Sequence, residues 1–227
     1  MTPTEYYLDA RNRLLDLGYA AEIEWQAHQC PSRVSETEFL REAAWVIYCS
    51  GFKEEVVRRR FDYLSLCFFD WASSIDIVDN QEKCVCAAMQ GLANERKHNA
   101  IVGVAEHIAS HSFENFWECV LESPQEAIQS LPYLGPVTSI HLAKNLGFAM
   151  AKPDRHLVQL RDRFGYGGVD DMCQEIASET GHSIQVVDLV LWRYMERREP
   201  TPRSLGESEH SLLRADIRWT TGYALTL

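Results

Sequence analysis

The sequence predicts an all-α fold, and three features support this prediction. Apolar residues recur at intervals of three and four through most of the chain, as they do on a helix with one buried face. Several of these segments begin with a helix-starting signal, and the clearest is Ser35 with Glu38, which form a capping box. The alternation of apolar and polar residues that marks a half-buried strand is nearly absent. We therefore expect about nine to eleven helices and no sheet.

Glycine and proline set the bounds of the N-terminal helices. Gly18 ends the first, and Pro31 ends the second because proline cannot continue the helical hydrogen-bond ladder. Ser50-Gly51 interrupts the third, and Asp70–Asn80 is expected to be irregular. The predicted helices in this part are Thr4–Leu17, Ala20–His28, the helix that follows Ser35, and Lys53–Phe69.

The remaining helices are predicted from the same spacing of apolar residues. The tail from Pro200 receives no assignment, and this includes the segment Leu212–Tyr223. The predicted helices are Gln81–Leu92, Glu95–Ala109, Phe113–Leu121, Pro124–Leu131, Val137–Leu146, Arg155–Phe164, a helix near Asp170–Thr180, and Ser183–Arg198.

Composition indicates a globular protein of a reducing compartment. The chain has 227 residues, of which 46% are hydrophobic, and no apolar run approaches the roughly 20 residues that span a bilayer. The N-terminus lacks the apolar core of a signal peptide. The seven cysteines are scattered, which does not suggest a disulfide framework. We therefore expect a cytoplasmic protein with no membrane partner.

The net charge argues against a nucleic-acid partner, because 22 basic and 33 acidic residues give −11. Positive residues nevertheless gather locally, as at Arg58-Arg59-Arg60 and Arg96-Lys97-His98. Such clusters are equally typical of a solvated helix face. If the chain binds DNA, backbone amides must therefore carry much of the affinity.

The segment from Leu131 to Thr138 predicts two helices joined by a tight turn. Pro132 closes the first helix, Gly135 permits the turn, and Pro136 can occupy the first position of the second helix. The start of the second helix exposes N–H groups that can bind a phosphate, and the Thr138 hydroxyl could add a contact. The alternative is an ordinary helical corner that contains a glycine.

An aspartate follows this turn at the head of another helix. Pro153 prevents a helix from running through it, and Arg155–Phe164 is amphipathic, so Asp154 is predicted to be an N-cap. A helix N-terminus favours an ionised carboxylate. Asp154 can therefore serve as a cap alone or also as a functional carboxylate.

The pattern L-P-x-L-G-x-x-T-S, with Asp154 at 154 − 135 = 19 positions after Gly135, resembles the helix–hairpin–helix DNA glycosylases. Endonuclease III and the glycosylases for mispaired adenine, alkyladenine and oxoguanine belong to this superfamily. The resemblance covers Leu131 to Arg163. It implies a single unit, 1–227, with an inner lobe of about 35–147 and an outer lobe of about 1–34 plus 148–227. The hairpin is expected beside an interlobe cleft lined by Asp154.

Two departures from the family pattern restrict the expected activity. Bifunctional members carry a lysine nucleophile where this chain has Val137, so the resemblance implies a monofunctional enzyme. Some members bind an iron–sulfur cluster through four late cysteines, whereas only Cys173 lies beyond Cys119 here. No cofactor is expected, and the one ion that the hairpin could hold is a monovalent cation.

The resemblance implies a monomer that acts on double-stranded DNA containing a damaged or modified base. It would associate with the nucleoid, flip the base out and hydrolyse its N-glycosidic bond. Such cleavage develops positive charge on the sugar, which a fixed carboxylate stabilises. Asp154 is the candidate, because the rival carboxylates of Asp162, Asp170 and Asp171 do not follow the hairpin at the family's spacing.

Other site residues are assigned by position in the family pattern. Phe52, in the loop after the third helix, is the candidate wedge between bases. For every aromatic among these candidates, packing in the core is the competing interpretation. The expected DNA contacts are Phe52, Leu134, Gly135, Val137 and Thr138, and the pocket candidates are Glu24, Trp25, Trp45 and Tyr48.

Three functions and several substrates remain open from the sequence. Besides a glycosylase, the chain could be a DNA-binding module that lacks the chemistry, or a helical adaptor in which Gly135 only forms a corner. The excised base could be an alkylated purine, oxidised guanine, mispaired adenine or uracil, or a modified base of phage DNA.

Overall fold

A computed structural model describes residues 1–198, and the regular secondary structure of this part of the chain is all helical, with thirteen α-helices and no strand. The all-α prediction is confirmed. The helices are α1 Pro3–Asp16, α2 Ala20–His28, α3 Glu36–Cys49, α4 Glu54–Cys67, α5 Ser74–Asp79, α6 Gln81–Gly91, α7 Glu95–His111, α8 Phe113–Glu122, α9 Pro124–Gln129, α10 Pro136–Asn145, α11 Arg155–Phe164, α12 Val169–Thr180 and α13 Ile184–Arg198.

The helix count exceeds the prediction because part of Asp70–Asn80 is helical. The Ser73 hydroxyl accepts a hydrogen bond from the Asp76 amide at 3.3 Å and caps the short helix α5. This helix has six residues, and the three that are buried or half-buried, Ser74, Ile77 and Val78, give too little periodicity to reveal it in the sequence. The tail from Pro200, including Leu212–Tyr223, lies outside the described residues.

The chain divides into two compact units. The central unit is Cys30–Phe148 and contains α3 to α10, whereas Met1–Gln29 and the described residues from Ala149 on form the terminal unit. In the central unit α7 packs against α3, α5, α6 and α8, and α10 packs against α3 and α9. The rings of Phe61, Phe68 and Trp71 stack in its core.

In the terminal unit, α13 packs against α1, α2, α11 and α12. Its apolar residues form one buried cluster with α1, which contributes Tyr6, Tyr7 and Leu14. The guanidinium of Arg193 on α13 donates two hydrogen bonds to the carboxylate of Glu22 on α2. This paired arginine therefore fastens α2 to the cluster.

No helix among residues 1–198 is both long enough and apolar enough to cross a membrane.

Candidate functional site

The turn between α9 and α10 has its unusual backbone at Tyr133. This residue has φ +69°, in the left-handed region that bulky side chains rarely adopt. Gly135 has φ −79° and ψ −174°, an extended conformation open to any residue. The prediction that Gly135 supplies the conformational freedom of the turn is therefore wrong, because the residue with a left-handed backbone is Tyr133, two positions earlier.

The space beside the Cα atom of Gly135 is nevertheless open. A Cβ atom added there would meet nothing nearer than the Thr138 hydroxyl oxygen, at 4.0 Å. The chain itself therefore does not require glycine at this position. A glycine whose neighbourhood is empty lets a group from outside approach the backbone closely.

The N-terminus of α10 keeps amide donors without partners. Among the described residues 1–198, the N–H groups of Gly135, Val137 and Thr138 donate to no acceptor. No side chain caps this helix, and Pro136 at its start has no N–H. The positive end of the helix dipole therefore presents several free donors, which is the arrangement that binds an anion.

The side chains around these amides differ in exposure. Val137 is 42% exposed, whereas Leu134 is 2% exposed and anchors the turn in the core. The Thr138 hydroxyl donates to the Gly135 carbonyl oxygen at 3.2 Å, so its proton is already used inside the chain. The four predicted contacts thus lie together in one turn, with backbone amides as its outward donors.

Helix α7 packs against the turn between α9 and α10. A Cβ atom added to Gly103 would lie 2.9 Å from Cγ of Pro132, so glycine at this point allows the turn to approach the helix. The Arg96 guanidinium lies 5.2 Å and the Lys97 ammonium 4.7 Å from the centre of the Tyr133 ring. These cation–π contacts hold the left-handed residue.

Phe52 lies in the loop between α3 and α4 and is half-buried. The centre of its ring is 5.4 Å from the Lys97 ammonium, the same cation that contacts Tyr133. The structure therefore brings the predicted wedge and the turn together through one lysine. In the sequence, Lys97 stands out only as part of the basic cluster Arg96-Lys97-His98.

Asp154 is the N-cap of α11, as predicted. Its Oδ1 atom accepts hydrogen bonds from the amides of His156 at 2.9 Å and Leu157 at 3.1 Å. Among residues 1–198, nothing donates to its Oδ2 atom. The side chain is half-buried. One oxygen thus fixes the carboxylate, while the other remains available.

Two further aspartates fix the connector that precedes Asp154. The Asp170 carboxylate accepts from the Ala151 amide at 2.8 Å, and the Asp188 carboxylate accepts from the Lys152 amide at 2.7 Å. Asp188 is 2% exposed and was not identified from the sequence. Its one signal there is a carboxylate inside the apolar run Val186–Leu191. Asp170, a rival to Asp154 for the catalytic role, uses one carboxylate oxygen to hold this connector.

Two of the four pocket candidates belong to the core of the central unit. Tyr48 is fully buried, and its hydroxyl is 2.9 Å from Nδ1 of His98, while Nε2 of His98 is 2.7 Å from the Leu92 carbonyl oxygen. Since Nε2 must donate to a carbonyl, Nδ1 accepts from Tyr48. Burial raises the pKa of Tyr48 far above its ordinary value. Trp45 is 5% exposed.

The other two pocket candidates lie on α2 in the terminal unit. Glu24 is exposed and Trp25 is half-buried. The assignment of all four residues to a base pocket stays a prediction.

Several cations of the basic clusters are engaged within the chain. Arg58 pairs with Glu54, and Arg59 pairs with Glu55 at 2.5 Å. Lys97 is buried. Arg58 and Lys97 therefore add little open basic surface, whereas the paired Arg59 remains 54% exposed. Among the described residues, no three His, Cys, Asp or Glu side chains come together in a way that could hold a metal ion.

No protein-family model matches this chain, and no curated protein matches it.

Proposed function

We propose that the protein is a monofunctional DNA glycosylase. It would bind double-stranded DNA, extrude a damaged or modified base and hydrolyse the N-glycosidic bond, which leaves an abasic site. The central unit would hold a backbone phosphate at the N-terminus of α10. The terminal unit would supply the carboxylate of Asp154.

The observation that carries the proposal is the fixed carboxylate of Asp154. Two amides of α11 hold its Oδ1 atom, and the connector before it is held in turn by Asp170 and Asp188. A purely structural cap needs only one of its oxygens, and that is the one engaged here. Oδ2 remains for the positive charge that develops on the sugar or for the attacking water.

Electrostatic attraction between the Asp154 carboxylate and the developing positive charge stabilises the transition state. A carboxylate about 4 Å from a unit positive charge gains roughly 4 kcal/mol at an effective dielectric constant near 20. That stabilisation of the transition state corresponds to roughly a thousandfold in rate. Because the carboxylate is already held in place, little of this gain is lost to reorganisation during the reaction.

The N-terminus of α10 supports the DNA-binding part of the proposal. Its free amides at Gly135, Val137 and Thr138 can bind a phosphate without any basic side chain. This mode of binding suits a chain with a net charge of −11. It also explains how the protein could bind DNA although many of its cations are engaged internally.

The absence of lyase chemistry follows from Val137. A bifunctional glycosylase needs an amine to attack the sugar and form a Schiff base. Val137, at the position where the resemblance places that amine, has an exposed hydrocarbon side chain. The abasic product should therefore remain intact until alkali cuts it.

The test is base release from a panel of duplexes that carry alkylated, oxidised, mispaired or phage-type modified bases, followed by treatment with or without alkali. We expect release from at least one substrate and strand cutting only after alkali. Strand cutting without alkali would contradict the monofunctional assignment. DNA binding without release from any substrate would instead favour a non-catalytic DNA-binding module.

A further inference from the structure

Lys97 lies in the first turn of α7, and its buried side chain contacts the C-terminus of α3. The residue is 2% exposed. Its ammonium donates to the carbonyl oxygens of Ile47, of Tyr48 at 3.3 Å and of Ser50 at 2.6 Å. The carbonyls of Ile47 and Tyr48 belong to the last turn of α3 and have no helical partner. Lys97 therefore supplies donors that the end of this helix lacks.

The same ammonium lies beside two aromatic rings from different segments. The ring centres of Phe52 and Tyr133 are 5.4 Å and 4.7 Å away, and Arg96 covers the Tyr133 ring as well. Phe52 follows Ser50 by two residues, and Tyr133 precedes Gly135 by two residues. One cation thus contacts both the α3–α4 loop and the turn before α10.

The amine of Lys97 is fully occupied by these contacts. An ammonium group has three N–H donors, and three carbonyl oxygens accept them. Burial lowers the pKa of Lys97 to about 8, so the group keeps most of its charge at neutral pH. Because the nitrogen is buried and bonded, Lys97 does not act as a nucleophile. Its contacts hold the chain in place.

The backbone conformation of Tyr133 requires stabilising contacts such as those of Lys97. A tyrosine at φ +69° is strained, and it persists only where neighbouring groups hold it. The loop that contains Phe52 is also irregular, with Gly51 at φ +87°. Without a shared partner, each segment could relax independently of the other.

We propose that Lys97 is a positioning residue for DNA binding, which joins the Phe52 loop and the Tyr133 turn so that both meet the DNA as one preformed surface. This inference rests on the proposed function. Preformed surfaces bind more tightly because less conformational entropy is lost on binding. Phe52 and Tyr133 are both half-buried, so part of each residue remains accessible from outside the chain.

The test uses Lys97→Met, which keeps most of the side-chain volume and removes the charge and the donors. The probe is a labelled duplex with a tetrahydrofuran analogue of an abasic site, the product expected from the proposed reaction. We expect Lys97→Met to bind this duplex at least about tenfold more weakly than the wild-type protein. Lys97→Arg should recover part of the affinity, since it keeps the cation.

Two control variants separate positioning from charge and from stability. Lys83→Met removes the same charge from an exposed lysine on α6, and Val104→Ala truncates the core on α7 itself. Both should bind within about twofold of the wild type. Hydrogen exchange in the free Lys97→Met protein should show faster exchange at the amides of the Phe52 loop and the Tyr133 turn, with the rest of α7 unchanged.

If Lys97→Met does not fold, a double-mutant cycle tests the same idea. Phe52→Leu and Tyr133→Leu should weaken binding non-additively, because both rings act through one cation. Additive effects in that cycle would overturn the inference, as would wild-type affinity and exchange in a folded Lys97→Met. Failure of the wild-type protein to bind any duplex would overturn the proposed function, and this inference with it.

Discussion

At the scale of single residues, Asp154 combines a structural and a chemical task in one carboxylate. Its Oδ1 atom accepts two amide hydrogen bonds, while its Oδ2 atom has no donor among residues 1–198. The buried Asp188 has a structural task, since it accepts a hydrogen bond from the Lys152 amide. Asp188 is 2% exposed, whereas Asp154 is half-buried, so exposure of the carboxylate distinguishes the candidate catalytic group from the supporting one.

Gly135→Ala separates binding from folding. A methyl group at Gly135 has space within the chain and a permitted backbone, so we expect the melting temperature to stay unchanged. We expect the same methyl group to hinder the close approach of a phosphate to the free amides of α10. The affinity for DNA should fall by roughly tenfold, equivalent to about one good hydrogen bond.

Gly167→Ala is the matched control for this variant. Gly167 is exposed, and an added Cβ atom would meet nothing nearer than Asp171 Oδ2 at 3.8 Å. It should leave affinity and stability unchanged. Equal affinities for Gly135→Ala and the wild type, measured by fluorescence anisotropy, would show that no group of the DNA approaches this backbone.

At the scale of helices, α7 organises the candidate DNA-binding surface. Its first turn supplies Arg96 and Lys97, and one face at Gly103 receives Pro132 of the turn. The helix itself carries none of the residues predicted to contact DNA. Its role is to fix the segments that do.

Gly103→Ala tests whether the turn sits tightly on α7. Alanine normally stabilises a helix interior by up to about 1 kcal/mol relative to glycine. Here its Cβ atom would lie 2.9 Å from the Pro132 ring, and such overpacking costs about 1–3 kcal/mol. We expect a net loss of about 1 kcal/mol in the free energy of unfolding in urea. A gain in stability would mean that the turn has room to move.

Local chemistry made much of the helical framework predictable from the sequence. The capping box of Ser35 and Glu38 and the N-cap at Asp154 depend on neighbours within three residues, and both are confirmed. Lys97 was not recognised, because its carbonyl partners lie 47 to 50 positions away. Tyr133 was missed because the nearby Gly135 looked like the residue that bends the chain.

At the scale of the whole molecule, negative charge and internally used cations determine how DNA can bind. The net charge is −11, and arginines such as Arg58 and Arg59 are paired with glutamates on their own helix. A binding mode based on many lysine–phosphate contacts does not suit this chain. Backbone amides and a few cations suit it better.

The salt dependence of DNA binding measures how many cation–phosphate contacts the protein makes. Each cation–phosphate contact contributes about −0.9 to the slope of log affinity against log salt concentration. With few such contacts, we expect a slope between about −1 and −3 for a duplex substrate. A slope of about −6 or steeper would reveal an extended basic surface and contradict the amide-based mode.

Acid should destabilise the protein. Burial lowers the pKa values of His98, His107 and His182, with nearby His111 and Arg11 adding to the effect for the last two. Between these lowered values and the ordinary value near 6.5, the unfolded chain binds more protons than the folded one. The free energy of unfolding should therefore decrease as the pH falls from about 7 to about 5. Urea titrations that show constant or rising stability in this range would contradict the account.

The measurement closest to the central claim is the single-turnover rate of base release by Asp154→Asn. Asparagine is also a preferred N-cap residue, so the variant should keep α11 and lose only the charge. Asp162→Asn makes the same change at an exposed site on the same helix and should react like the wild type. We predict that Asp154→Asn is slower by roughly a thousandfold, with DNA affinity retained. Equal rates for Asp154→Asn and the wild-type protein would contradict the claim that this carboxylate stabilises the transition state.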